Sequence, residues 1–232
     1  MGDMAEEVGG HIKGPNAWRQ AFAAIALAAA LGGALWASEE LSGNGSGPPP
    51  ATCSDEDAGK AAGRVTGKQL CEALHRPDLA ALLGTPTETA KTASGGDSSF
   101  KSAGGKEIAT PSAQVEFDTY TVTLSATYDG LPVAGSHTLL GNDAEQRKVL
   151  GRPAVLYSDR TISISFRLDG GDSETGPGVP ARALTVAQDA KDRGGSLDVT
   201  LWRADGGVPD DAVLLRVAEK VLPTVPGWTA GR

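Results

Sequence analysis

Between Ala21 and Ala37 the chain runs through seventeen consecutive residues without a charged or polar side chain, AFAAIALAAALGGALWA. As a helix the run rises about 25 Å, the short end of what crosses a hydrocarbon core. It offers no polar face to water, which argues against a helix lying on a globular surface. Alanine contributes little to insertion, so Phe22, Ile25, Leu27, Leu31 and Leu35 carry most of the drive, with Trp18 and Trp36 at the headgroup level near either end. Lys13 and Arg19 precede the run, whereas Glu39 and Glu40 follow it. The positive-inside tendency therefore keeps residues 1–20 in the cytoplasm and places everything after the span outside. A cleaved signal peptide is the rival reading, but cleavage after Ala37 would set Leu35 where a small residue is wanted. Lipid attachment at Cys53 fails on position, because a polar linker separates it from the apolar run.

Residues 38–52, SEELSGNGSGPPPAT, form that linker, flexible in its Ser/Gly half and stiffened by Pro48, Pro49 and Pro50. Beyond it residues 53–232 have the length of one domain. Setting aside Lys13, Arg19, Asp3, Glu6 and Glu7, the remainder holds 19 basic and 26 acidic residues, a net charge near −7. That balance disfavours nucleic acid and anionic lipid as partners. The chain has two cysteines, Cys53 and Cys71, both in the region placed outside, and an even pair in an oxidising compartment reads as one disulfide. Closing that loop would remove about 3 kcal/mol of unfolded-state entropy. Asp55, Glu56, Asp57 and His75 lie close in sequence but match no zinc or calcium spacing, so no metal site is expected.

Past Cys53 the pattern is helical, then strand-rich, then helical. Gly67 to His75 and Pro77 to Leu83 place Leu70, Leu74, Leu79, Leu82 and Leu83 at near-helical spacing, with a bend at Pro77 and a stop at Gly84. Residues 85–113 are rich in Thr, Ser, Gly and Ala and predict a mobile loop or a weakly paired hairpin. From Gln114 to Tyr128, Tyr120, Val122, Leu124, Ala126 and Tyr128 share one face and Thr119, Thr121, Thr123, Ser125 and Thr127 the other, a strand with one wet side. Lys148 to Gly151, Ala154 to Tyr157 and Thr161 to Leu168 read as three extended pieces, the last two divided by a turn at Ser158-Asp159-Arg160, followed by a Gly/Pro-rich crossover. Arg182 to Gln188 and Ser196 to Arg203 predict a hairpin, and Pro209-Asp210-Asp211 opens a last helix that Pro223 ends. The expected fold is α+β: a transmembrane helix, a linker, and an antiparallel sheet of about five or six strands with helices on one face. By analogy its architecture is that of the PsbP/Mog1-type sandwich.

The strings KGPNAW, LCEALHRPDLAALLGTP, VLGRPAVLYSDRTI and VLPTVPGW resemble an uncharacterised family of membrane-anchored actinobacterial proteins of the Streptomyces type, over nearly the whole chain. The resemblance implies a cell-envelope setting and a high-GC Gram-positive source. It supplies no catalytic or binding residue.

No constellation specifies a chemistry. His11 falls on the cytoplasmic side, His75 beside a proline turn, and Ser136-His137 in a loop without a nucleophile elbow. A carboxylate pair brought together from distant strands is possible in principle, but aromatics are 5% of the chain and sugar-stacking surface is correspondingly scarce. Gly170-Gly171, Gly176 to Gly178 and Gly194-Gly195 fail the phosphate-loop spacings and read as turns, and Asp169, Asp172 and Glu174 as a solvated acidic loop. The expectation is a non-enzymatic domain, without cofactor, tethered to the membrane and binding an envelope protein or small ligand. An envelope hydrolase and a structural spacer are the alternatives.

Overall fold

The computed structural model describes residues 51–53, 64–102, 104–141, 143–165 and 174–228. The chain divides into two units, Met1–Pro49 and Pro50–Arg232, and every described residue belongs to the second. The anticipated span, with Trp18, Phe22, Ile25, Leu27, Leu31, Leu35 and Trp36, lies outside the described residues. No described helix is long and apolar enough to cross a membrane.

The centre of the second unit is a seven-stranded antiparallel sheet, one or two strands more than expected. In chain order the strands are β1 (Thr92–Gly96), β4 (Ser112–Glu116), β5 (Tyr120–Thr127), β6 (Glu145–Val149), β7 (Arg152–Ser165), β8 (Glu174–Ala187) and β9 (Ser196–Arg203). Across the sheet they are arranged β1-β4-β5-β9-β8-β7-β6. Two short strands, β2 (Ser99–Lys101) and β3 (Glu107–Ala109), pair separately. The domain is thus mostly β. Residues 85–113 are not a loop, since they supply β1 to β3, and of the two readings the short hairpin is met by the β2–β3 pair; TASGG in β1 has a single apolar side chain that could have signalled a buried face. The stretch from Gln114 to Tyr128 is two strands, turning at Phe117–Thr119, where Phe117 N–H donates to Tyr120 O at 2.8 Å. No turn occurs at Ser158–Arg160, because β7 continues through it to Ser165. The segment anticipated as a Gly/Pro crossover forms the first half of β8, with a register shift between Arg160 and Ile162 that absorbs the Pro177–Pro180 stretch.

Three helices cover one face. α1 (Gly67–Leu74) opens with a reciprocal capping box, in which Thr66 Oγ1 accepts from Gln69 N–H at 3.3 Å and Gln69 Oε1 accepts from Thr66 N–H at 3.0 Å. Its buried stripe is Gly67, Leu70, Cys71 and Leu74. α2 (Leu79–Leu83) follows the bend and stops at Gly84, whose φ of 85° is the left-handed stop residue anticipated there. α3 (Asp211–Val221) is capped by Asp210, which accepts from Ala212 N–H at 2.7 Å, and carries Asp211 in its first turn. α1 packs on β1, β4 and β5, and α3 on β8 and β9. The core between these helices and the sheet includes Leu70, Leu74, Leu79, Leu83, Val115, Val122, Leu124, Leu156, Leu184, Val199, Leu201 and Leu214.

Cys53 and Cys71 are disulfide-bonded, with Cα atoms 5.8 Å apart, so the segment entering the domain is fixed to the buried side of α1. At the other end Trp228 stacks against Arg152, the guanidinium 3.3 Å from the ring centroid, and Arg152 Nη1 donates to Gln188 O. Two of the strings quoted above, VLGRP and VPGW, thereby meet in space.

Candidate functional site

Side chains alternate across the sheet, so the strands that send Val122, Leu124, Val199 and Leu201 into the helix-covered core present a second set to the opposite face. The strand registers assemble that set into rows. Thr121 of β5 faces Trp202 of β9 and then Ala181 of β8; Gln114 faces Thr123, Thr200, Ala183 and Tyr157; Ser112 faces Ser125, Asp198, Thr185 and Val155. One part of this second face is closed. A 3-10 helical turn, Val133–Thr138, sits over β7 and β8, where Val133, Val155 and Ala187 make a small apolar cluster with Leu140, Ala144 and Tyr157 beside it. The turn is held by Asp192, whose carboxylate accepts from Val133 and Ala134 N–H at 2.8 Å each, and by backbone contact between Gly130 and Gly194.

Next to this cover runs a polar chain. Thr185 Oγ1 donates to Asp198 Oδ1 and Ser196 Oγ donates to Asp198 Oδ2 at 3.1 Å. Burial among the strands raises the Asp198 carboxyl above the ordinary carboxylate range, against the two hydroxyl donors, and Asp129 raises it further. Burial, then the charge of Asp198, push the Tyr157 phenol up to about 12. Asp198 therefore stabilises the fold most in its neutral form: its contribution is complete below the unfolded carboxyl value and fades as pH rises through the higher folded value. Unfolding free energy measured for D198N and the parent chain should diverge in favour of D198N as pH rises above the ordinary carboxylate range. A pH-independent difference would mean that Asp198 is not held in this way.

Beyond the covered part the face is unspent. Among the described residues the side chains of Gln114, Thr121, Thr123, Ser125 and Thr200 make no hydrogen bond to protein. A hollow of about 210 Å³ lined by Ser94, Gly96, Ser112, Gln114 and Thr123 lies at the β1 side. Trp202 is half-buried and belongs to neither apolar cluster. The arrangement can donate and accept neutral hydrogen bonds along β4, β5 and β9, while Ala181 and Ala183 of β8 are buried and Tyr157 packs against the covered cluster.

The residues singled out in the sequence do not converge here. His75 ends α1, Asp55, Glu56 and Asp57 lie outside the described residues, and no group of three metal-ligating side chains occurs among the described residues. Ser136 Oγ donates to Val133 O at 2.8 Å, and His137 Nδ1 lies 3.1 Å from Ala134 O and 2.6 Å from Gln146 Nε2, so the two neighbours share no hydrogen bond. Gly194 and Gly195 do form a turn, with φ of 102° and 97°, whereas Gly176 and Gly178 are in β8 rather than in a turn. Asp169, Asp172 and Gly170-Gly171 lie outside the described residues. Arg182, which no pattern singled out, ties α3 to the sheet: its Nε and Nη2 reach Asp211 at 2.6 and 3.0 Å, and its Nη1 reaches Ser158 Oγ at 2.6 Å and Asp143 Oδ2 at 3.4 Å. The wet face of β5 was legible from its hydroxyl alternation, but Trp202 joins it only through the β5–β9 register.

A model described as a family of unknown function, DUF6215, matches residues 12–143, more than half of the chain. No curated protein and no solved structure matches.

Proposed function

Since the chain belongs to the DUF6215 family, whose function is unknown, we propose that it is a non-enzymatic binding domain, tethered to the outer face of an actinobacterial cell membrane by the Ala21–Ala37 run and displayed beyond the 38–52 linker to an envelope ligand. The Cys53–Cys71 disulfide carries the proposal. Such bonds persist in oxidising compartments, and this one joins the domain's entry segment to the core side of its first helix. The charge order around the apolar run, Lys13 and Arg19 before it and Glu39 and Glu40 after it, supports the same orientation. Binding is favoured over turnover because the unspent polar groups are neutral hydroxyls and an amide spread over a sheet face and, among the described residues, are not grouped around a metal-ligating set.

In intact cells the full-length chain should stay with membranes through an alkaline wash, and added protease should remove everything beyond Ser38. Cys53 and Cys71 should resist thiol labelling until reductant is added, and C53S/C71S should lose about 3 kcal/mol of unfolding free energy. Two thiols labelled without reductant, with the domain protected from protease, would place it on the inner side and end the proposal.

A further inference from the structure

We infer that the outer edge of β1 pairs, antiparallel and about a two-fold axis, with β1 of a second copy of this chain, joining two seven-stranded sheets into one. The pairing needs neither the ligand nor the tether proposed above, so it stands or falls separately from them.

An open sheet edge leaves main-chain N–H and C=O groups to any strand that meets it, and folds blunt such edges with charge, proline or side-chain bonds. Most of the open edge of the main sheet is blunted in this way. β6 sets Glu145, Arg147 and Lys148 along its length, all exposed. Where β7 runs on past β6, the N–H of Ser158 donates to Asp143 Oδ2 at 2.9 Å and that of Arg160 to Asp159 Oδ1 at 2.8 Å. Where β8 runs on past β9, Pro177 and Pro180 have no N–H to offer. β1 differs from all of these. Thr92–Gly96 carries no charge and no proline and pairs with β4 without a register shift. Among the described residues nothing bonds to the main chain along its outer side.

The flanking charges choose the occupant. The segment reads Lys91-Thr92-Ala93-Ser94-Gly95-Gly96-Asp97, with its cation and its anion equally far from Ser94. An antiparallel two-fold centred on Ser94 therefore sets Lys91 of each copy opposite Asp97 of the other, at the spacing where cross-strand ion pairs form. Between these two contacts only small side chains meet: Thr92 faces Gly96, Ala93 faces Gly95, and Ser94 faces itself. Shifting the register by two residues either way leaves both charges opposite neutral residues. Both groups can answer a second copy. Lys91 is half-exposed in its pair with Asp118, and Asp97 accepts from Gly67 N–H through Oδ1, which leaves Oδ2 for a cation. Five paired residues make a small interface, so the association depends on concentration.

The test uses the purified full chain in detergent, oxidised with copper phenanthroline and read on a non-reducing gel. Cys53 and Cys71 are consumed by their own disulfide, so S94C adds one thiol, at the exposed position that the two-fold sets opposite itself. S94C should run as a covalent dimer. T92C should give at least tenfold less, because the register offsets it from its own mate by roughly 13 Å along the strand, beyond the reach of a disulfide. In the S94C chain, K91D and D97K should each cut the dimer at least tenfold, since each sets like charges opposite at both flanks. Mixing the two chains should recover the dimer to within about threefold of S94C, because opposite charges meet again. D97K also removes the acceptor for Gly67 N–H, so circular dichroism and thermal unfolding check each variant. Sedimentation of the unsubstituted chain is the reading that needs no variant: its mean mass should climb towards that of a dimer as concentration rises. S94C that stays monomeric, equal dimer from T92C, folded charge variants whose mixture recovers nothing, or an unsubstituted chain that sediments as a monomer throughout would overturn the inference.

Discussion

Replacing Gly67 or Gly95 by alanine should lower the unfolding free energy by on the order of 4 kcal/mol. At these two glycines the backbone of α1 lies directly on the backbone of β1. A methyl on Gly67 would overlap the main chain of Gly96, and a methyl on Gly95 would overlap the carbonyl of Gly67. Neither obstacle is a side chain that can swing aside. The helix must lift, and lifting it exposes Leu70, Cys71 and Leu74, each fully buried in the native fold. It also stretches the bond from Gly67 N–H to Asp97 Oδ1, now 2.7 Å. Gly135→Ala supplies the control, since a methyl there meets nothing within 4 Å. Urea midpoints at constant slope would measure the difference. Equal midpoints for G67A, G95A and G135A would mean that α1 does not approach β1 so closely.

Leu184→Ala should cost about 4 kcal/mol, the scale of a large-to-small change at a fully buried leucine. Leu184 occupies the middle of β8 with no accessible surface, facing Val199 on one side and Leu156 on the other. Strands close in on both sides and α3 packs against β8, so the cavity has little freedom to collapse. Ile162→Ala is the matched comparison. That residue is an apolar β7 side chain that is 75% exposed, and its truncation should change stability by less than about 0.5 kcal/mol. Similar losses at both positions would contradict the assignment of Leu184 to the core.

The elements that the sequence discloses are those whose formation is local. Gly84 and Asp210 mark helix ends through their own backbone and capping chemistry, and β9 alternates Leu197, Val199 and Leu201 because one face of it is dry. β1 gives no such signal, because glycine at position 95 answers to a distant helix backbone and not to a hydrophobic period. Ser158 and Asp159 imitate a turn in composition. In the fold, Ser158 Oγ accepts from Arg182 and its N–H donates to Asp143 Oδ2, so polar residues are used inside a strand. The candidate site divides in the same way. The row of threonines on β5 is visible as alternation, whereas the neighbours Trp202, Asp198 and Tyr157 are brought beside it by registers among three further strands.

The disulfide also decides where a pull is felt. Tension arriving at Cys53 from the N-terminal side crosses the sulfur bridge to Cys71, and residues 54–70 drop out of the load path. Force therefore enters the domain in α1, beside the edge strand β1, whose pairing with β4 becomes the seam under shear. Reduction restores the detour. Seventeen residues lie between the two cysteines, and the last of them, from Thr66, already belong to the capped start of α1, so the reduced chain is loaded first at the N-terminal end of that helix and only afterwards at Cys71. Where tension enters the domain is thus set by the oxidation state of one bond.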